Sequence, residues 1–433
     1  MNRPFLSRTG IIIFIGISVS AAFPGSRPPG MIFSSLRNRN YLLLWTGTVV
    51  SHSGDWMDHV ALNWLVLELS NSPLSLGLVN LCRAIPVIFL VPLGGVAADH
   101  WERRKILIVT QSIAMGLAFL LGALVTTGLV DIWEIYLIAA LRGAVMSFNM
   151  PARQSIINDL VPKEDLPNAI ALNSATHNLT RVLGPALGGI LIALLGVDWL
   201  FYLNGLSFLA ILQTLHLLKD VPTGGGQKKK GPWQELKEGL LFLRGNRLLR
   251  YLVFLAVIPM FFGQPYMTML AVFARDVLYI GPVGLGLLTS TAAMGSIAGA
   301  LVVAGRGREP RIGHMLAGMM SFGAALFCFA FSPWVATSLI FLFLAGASNM
   351  TYSSTNNTLI QMNVPDAYRG RVLSMLFINR GLVPLGMAMT GLLAEIMGAP
   401  LALGAMATVL LLLSAVAVIM RPGRRRQLKK DET

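Results

Sequence analysis

The chain has 433 residues, of which 55% are hydrophobic and only 12% charged, with 43 glycines and a mean hydropathy of +0.66. A soluble domain of this length would expose far more charge, so a water-soluble enzyme or binding module is excluded. The net charge of +14 would suit a nucleic-acid partner, but its placement along the chain argues instead for orientation in a membrane.

A bilayer core takes roughly 20 apolar residues per helix, and on that measure the chain holds about twelve spans. They centre near Gly54, Val87, Ala118, Ala140, Pro185, Ser207, Gly263, Ala293, Gly323, Phe343, Pro384 and Leu411. Most of the 34 lysines and arginines, Arg103, Arg104, Arg153, Arg306 and Lys228 to Lys230 among them, then fall on the side of the amino terminus. Arg275 alone is left for the other side, while Arg83, Arg142, Arg181 and Arg380 lie within spans. This asymmetry is the positive-inside signature and puts both termini in the cytoplasm. Cys82 and Cys328 both fall within spans and read as small apolar packers.

The order along the chain is an extension (1–36), a first half (37–219), a cytoplasmic linker (220–248), a second half (249–421) and a basic tail (422–433). Within the extension, "IIIFIGISVSAAF" is too short to span and, behind Arg3 and Arg8, imitates a signal-peptide core. Because "SSLRNRNYLLLW" already provides a basic entry to the first helix, we read Met31 as the start, or residues 1–36 as disordered, in preference to a cleaved signal.

The first helix contains "SHSGDWMDHVALNW". At 3.6 residues per turn, Thr48, His52, Asp55, His59 and Asn63 share a stripe, with Ser51 and Asp58 beside it and Val49, Trp56, Val60 and Trp64 opposite. A lone carboxylate at the depth of Asp55 costs at least ~2.5 kcal/mol. It must pair with a cation, hold a proton or be wetted. Arg142 in the fourth helix is the candidate partner: burial favours the neutral acid and a guanidinium favours the charged one. Asp55, Asp58 and Arg142 are therefore candidates for proton coupling. A permanent Asp55–Arg142 pair that only fixes packing is the competing reading.

Between the second and third spans runs "GGVAADHWERRKIL". It resembles the signature loop of the major facilitator superfamily, matching at Gly95, Asp99, Arg103, Arg104 and Leu107, with Glu102 where the second glycine is usual. The resemblance implies that Asp99 works with the loop's basic residues and the amino end of the eleventh helix as a cytoplasmic gate. In the fifth helix, "TRVLGPALGG" resembles the antiporter motif of proton-driven exporters at Gly184, Pro185, Gly188 and Gly189, with Thr180 in place of the first glycine. A hinge is implied; close packing alone is the other reading. The run "NMPARQSIINDLVPKEDLPNAIALNS", with "RNRNYLLLWTG" and "GDWM", resembles the bacterial exporter branch that includes the enterobactin exporter and macrolide-efflux-like proteins.

The second half repeats the first weakly and in order. Gly54, Pro73 and Gly77 match Gly263, Pro282 and Gly286; "LRG" at Leu141 matches "LAG" at Leu344; "RVLGP" at Arg181 matches "RGLVP" at Arg380. Two pseudo-symmetric six-helix halves follow, the arrangement of secondary transporters that bind cargo between repeats. Gln264 stands where the first half has Asp55, so a proton site belongs to the first half alone. His59, Arg181, Gln264, Tyr266 and Arg380 are candidates for the cargo cavity, and the cationic interior fits an anionic or catecholate-like cargo. Pairing of Arg181 and Arg380 with carbonyls or acids remains open.

No histidine or cysteine pattern has metal or catalytic spacing, so no catalytic residue, metal or cofactor is assigned. The expected class is an all-α membrane protein that exports a small amphipathic molecule, siderophore-like or drug-like, by alternating access driven by protons. Its partners are that cargo, protons and membrane lipid, not nucleic acid, and it acts as a monomer. Translocation of lipid or lysophospholipid, or import, is the alternative within the fold, and an integral membrane enzyme the alternative outside it.

Overall fold

The computed structural model describes residues 33–218, 241, 245–305, 311–365 and 381–420. Among them there are twelve long helices and no strand. After a short 3-10 turn at Ser34–Arg37 come α1 (Arg39–Ser70), α2 (Pro73–His100), α3 (Arg103–Thr126), α4 (Ile132–Leu160), α5 (Leu166–Leu195) and α6 (Val197–Leu217). The second half holds α7 (Arg247–Val277), α8 (Gly281–Gly305), α9 (Ile312–Ala330), α10 (Val335–Asn363), α11 (Leu382–Met397) and α12 (Ala399–Ile419). Every span centre read from the sequence lies inside one of these helices. Ten are long and apolar enough to cross a membrane. Of the other two, α1 carries two aspartates and two histidines, and the described part of α11 is 16 residues long. The protein is a multi-pass membrane protein. Residues 1–32, most of the linker, Arg306, Arg308, Arg380, the segment 366–380 and the tail fall outside the described residues.

Local chemistry sets the helix ends. Asn38 caps α1 by accepting from the amides of Asn40 and Tyr41 at 2.9 and 3.2 Å. Asp131 and Glu134 form a capping box on α4. Two glycines with positive φ, Gly196 at +97° and Gly398 at +85°, make the tight turns α5–α6 and α11–α12, a conformation that side chains disfavour. Proline disrupts α7: Pro259 opens a π turn in which the Gln264 amide donates to the Pro259 carbonyl at 2.8 Å, and a second π turn spans Phe273–Val277.

Glycine contacts show the internal repeat most directly. A Cβ on Gly143 would sit 2.0 Å from the Arg83 carbonyl, and one on Gly346 would sit 2.0 Å from the Ala292 carbonyl. The backbones of α4 and α2 thus meet as those of α10 and α8 do. Exposed apolar side chains such as Phe89, Leu194, Leu301, Ile340 and Leu412 cover the outside of the bundle, as lipid requires.

The halves meet at one end. There, α5 crosses α8 where a Cβ on Gly189 would be 2.4 Å from the Pro282 carbonyl, and α2 crosses α11 where one on Gly77 would be 2.6 Å from the Ala388 Cα. Arg275 of α7 donates to the Leu67 carbonyl at 2.6 Å and to Asn71 Oδ1 at 2.5 Å; Glu395 of α11 accepts from Ser72 Oγ at 2.6 Å. One buried apolar cluster runs from Val60–Leu67 of α1 into Met269–Ala274 of α7. At the other end, which carries the arginine-rich loops and is called the basic end below, the buried cluster around Tyr41, Ala98, Ile106 and Leu215 contains first-half residues only.

The α2–α3 turn also revises one reading. Glu102 lies at φ −62°, a region open to any residue, so the missing glycine is no obstacle to the turn. Gly95, the glycine taken from the signature, has nothing within 4 Å of its would-be Cβ, whereas that of Gly94 would lie 2.0 Å from the Ser147 carbonyl. Gly94 is the packing glycine. In detergent, Gly95→Ala is expected to raise stability by roughly 0.5–1 kcal/mol through helix propensity. Gly94→Ala is expected to lower it by roughly 1–3 kcal/mol as α2 and α4 are forced apart. Thermal unfolding of both variants checks the order.

Candidate functional site

The candidate site is a polar recess lined by α1, α2, α4 and α5. Asp55 lies about 24 Å from the start of α1 and about 22 Å from its end, close to mid-membrane. It is exposed all the same, and so is His177 midway along α5. Both reach a space that water can enter between walls of protein. Val60 and Trp64, which the helical wheel sets opposite the acids, are buried in protein, so α1 is enclosed on both faces.

Arg142 does not pair with Asp55. It grips Asp58, one turn along: Arg142 Nη1 donates to Asp58 Oδ2 at 2.6 Å and Nη2 to Oδ1 at 3.1 Å. Asp58 is only 6% exposed. Axial distance explains the correction. Counted from the end where the halves meet, Arg142 is about 15 Å down α4, Asp58 about 18 Å down α1 and Asp55 about 22 Å down. A bidentate pair at matched depth is the stronger contact. Among the described residues Asp55 has no hydrogen-bond or ion-pair partner, though the charges of Arg153, Asp58, Arg83 and Arg142 are all within electrostatic reach of it.

Arg153 was missed. The topology read from sequence leaves it in the loop on the basic side, but it belongs to α4 and its Nη1 meets His52 Nε2. His52 in turn stands edge-on to His177, ring centroids 5.9 Å apart. Trp56 closes this wall, 5.8 Å from the His59 ring and 6.0 Å from that of His177. Trp56, set opposite the acids in the sequence reading, instead lies beside their stripe: it follows His52 by four residues and precedes His59 by three, which places it on the wall that meets His177 of α5, and that spacing was the available signal. His59 also contacts Asn63 Nδ2 at 3.3 Å through its Nδ1.

The remaining cavity candidates divide. Arg181 is half-buried; its Nη2 is 3.9 Å from Met267 Sδ of α7, and its Nε is buried without an acceptor. Gln264 is half-buried beside the π turn. Tyr266 turns away, 1% exposed with its ring 6.1 Å from that of Phe322. In this conformation it packs the second half and does not line the recess. Arg380 lies outside the described residues.

At the basic end, Arg103 pairs with Asp159 at the end of α4 and donates through Nε to the Ala98 carbonyl at 3.2 Å. Arg104 Nη2 donates to the His216 carbonyl at 2.9 Å, tying α3 to α6. Asp99 has no partner among the described residues; residues 366–380, which precede α11, lie outside them. In α5, Gly184 and Gly188 face Trp56 and Met57 of α1, while Gly189 and the Pro185 carbonyl face α8. Thr180 takes the place of a glycine without an unmet polar group, because its hydroxyl donates to the Thr176 carbonyl at 2.9 Å.

Residues 31–431 match the family described as "transmembrane secretion effector". The chain is 27% identical over 358 residues to the staphyloferrin A transporter of Staphylococcus aureus, covering 80% of this chain and 87% of that protein. It is 25% identical over 391 residues to the multidrug efflux pump Tap of Mycolicibacterium fortuitum, covering 88% and 95%. Its fold matches a bacterial homologue of the human lysosomal transporter Spinster in an inward-facing, unoccupied conformation, with a TM-score of 0.71 at 17% identity over 88% of this chain and 96% of that one. The chain therefore belongs to the transmembrane secretion effector family of major facilitator transporters, and is not an enzyme.

The two acids of α1 separate experimentally. Removing one partner of the buried Asp58–Arg142 pair, as in Asp58→Asn, is expected to cost about 3–5 kcal/mol. Asp55→Asn, at a site with no partner, is expected to stay within about 0.5 kcal/mol of wild type. The double variant Asp58→Asn/Arg142→Gln should recover part of the loss, as read by thermal unfolding in detergent across the double-mutant cycle.

Proposed function

We propose that this transporter exports a small amphipathic molecule from the bacterial cytoplasm across the inner membrane in exchange for protons, by alternating access of its two halves. The placement of lysine and arginine supports both termini and the basic end in the cytoplasm. The halves touch at the opposite end and have separate cores at the basic end, which supports an inward-open conformation. The named relatives, a staphyloferrin A transporter and a multidrug efflux pump, support cargo of small-molecule size and outward movement.

One observation carries the coupling. Asp55 is a mid-membrane carboxylate without a hydrogen-bond or ion-pair partner among the described residues, in a recess that water enters, while its neighbour Asp58 is fully engaged by Arg142. An acid gripped at both oxygens by a guanidinium is already engaged, whereas one left unpaired in a recess that opens to each side in turn can exchange a proton with the water it meets. We assign the proton to Asp55, and to Asp58 and Arg142 the fixed pair that orients it. Gly184, Pro185, Gly188 and Gly189 allow α5 to rock against α1 and α8, because no side chain there wedges the helices. Asp99, Arg103 and Arg104 form the cytoplasmic gate, with Asp159 as an added member.

In everted membrane vesicles, Asp55→Asn is expected to insert and fold normally but to lose gradient-driven accumulation of cargo, with Asp55→Glu retaining part of it. Wild-type transport should collapse with an uncoupler. Undiminished coupling in Asp55→Asn would remove the assignment.

A further inference from the structure

Four guanidinium groups converge on the recess: Arg83 from α2, Arg142 and Arg153 from α4, and Arg181 from α5. Only Arg142 holds a carboxylate. Among the described residues the other three make their contacts with neutral acceptors, with Asp55 in electrostatic reach of Arg153 and Arg83. Arg83 Nη2 is 3.5 Å from Met146 Sδ, Arg181 Nη2 is 3.9 Å from Met267 Sδ, and Arg153 Nη1 meets His52 Nε2. A thioether is a weak acceptor, and an imidazole nitrogen that receives a guanidinium N–H carries no proton of its own there. The buried Nε of Arg181 has no acceptor at all.

The balance is therefore cationic even with both acids ionised, since Asp55 and Asp58 face four arginines. Charge of one sign in a low-dielectric recess is costly unless a counter-charge arrives. At the positions that the repeat aligns with Asp55, Asp58 and Arg83 the second half has Gln264, Met267 and Ala292, and it has Arg380 at the position of Arg181, so the aligned positions add no acid. The unfilled guanidinium valences lie beside an aromatic wall. His52 links Arg153 to His177, whose ring lies within electrostatic reach of Arg181, and Trp56 spans His59 and His177.

The geometry points to a cargo bearing at least two anionic oxygens, carboxylate or phenolate, on a flat or aromatic frame, held by Arg153 and Arg181 with Arg83 behind and Trp56 and His177 against its face. This deepens the export reading above and rests on it for the word cargo. Guanidinium forks match paired oxygens, and buried arginines that lack an acid are the groups such a ligand would satisfy. The second half, with Gln264, Met267 and Ala292 at the aligned positions, then serves as a closing face that brings no competing acid from them. A lipophilic cation finds no acceptor other than Asp55 and is repelled by the arginines around it.

The test is equilibrium binding to the purified full-length protein in nanodiscs, with no gradient present, read by calorimetry and by thermal shift. The probes are benzene-1,3,5-tricarboxylate and citrate, set against benzoate, the trimethyl ester of the aromatic triacid, and tetraphenylphosphonium. The two tricarboxylates are expected to bind and stabilise; the ester and the phosphonium are not, and benzoate should bind more weakly than either. Arg153→Gln and Arg181→Gln should each weaken tricarboxylate binding about tenfold or more. Arg153→Lys and Arg181→Lys, which keep the charge and guard against misfolding, should fall between wild type and the Gln variants, because the charge stays and the fork is lost. Asp55→Asn should bind the anions more tightly, because a competing carboxylate is gone. Absence of tricarboxylate binding, equal binding of the ester or the phosphonium, or unchanged affinity in monodisperse Arg→Gln variants would each overturn the assignment. Failure of the export reading shows elsewhere, as efflux that ignores an uncoupler, so the two can fail independently.

Discussion

The buried pair between Asp58 and Arg142 is the contact around which the interior is arranged. It joins α1 to α4 through two charge-assisted hydrogen bonds at mid-membrane, where lipid would tolerate neither ion alone. By engaging one acid and one base completely, it leaves Asp55 one turn away without a hydrogen-bond partner among the described residues, and Arg83, Arg153 and Arg181 in contact there with neutral groups. Had Arg142 reached Asp55 instead, the recess would have a fixed acid where water enters and a buried acid without a cation.

The two halves share a backbone plan but not a charge plan. Gly143 and Gly346 bring α4 to α2 and α10 to α8 at the same closeness, and Gly196 and Gly398 turn α5 into α6 and α11 into α12. Small residues at crossings let helices touch where no hydrophobic effect drives them together. On this common frame the first half places Asp55, Asp58 and Arg83 where the second has Gln264, Met267 and Ala292, while Arg181 and Arg380 keep a cation at one matched position. The acids of the matched positions belong to the first half.

Closure at one end is built from both kinds of contact. Glycine crossings between α5 and α8 and between α2 and α11 give the fit, and polar groups finish it: Arg275 on the last carbonyls of α1, Glu395 at the start of α2. These charges sit where the helix dipoles favour them, a cation at a carboxyl end and an anion at an amino end. Such contacts are local and few, and so can be broken as a unit when the halves rock.

Much was legible in the chain itself. Apolar runs long enough to span located every helix, because the bilayer imposes a length and leaves no other way to satisfy the backbone. The signature loop, the glycine-proline stretch of α5 and the ordered repeat identified the superfamily. The two intramembrane acids stood out because such residues are costly there. What the sequence could not decide was partnership across helices. Arg142 chose Asp58 over Asp55 by relative depth, which depends on how α4 lies along α1. Arg153 looked like a loop cation because hydropathy cannot see that α4 runs on to Leu160. Gly94 rather than Gly95 touches α4, and Tyr266 turns into the second half because proline rewinds α7 with a π turn. Helical period and burial are written in one dimension; register between helices, and therefore which charge meets which, exists only once they are packed.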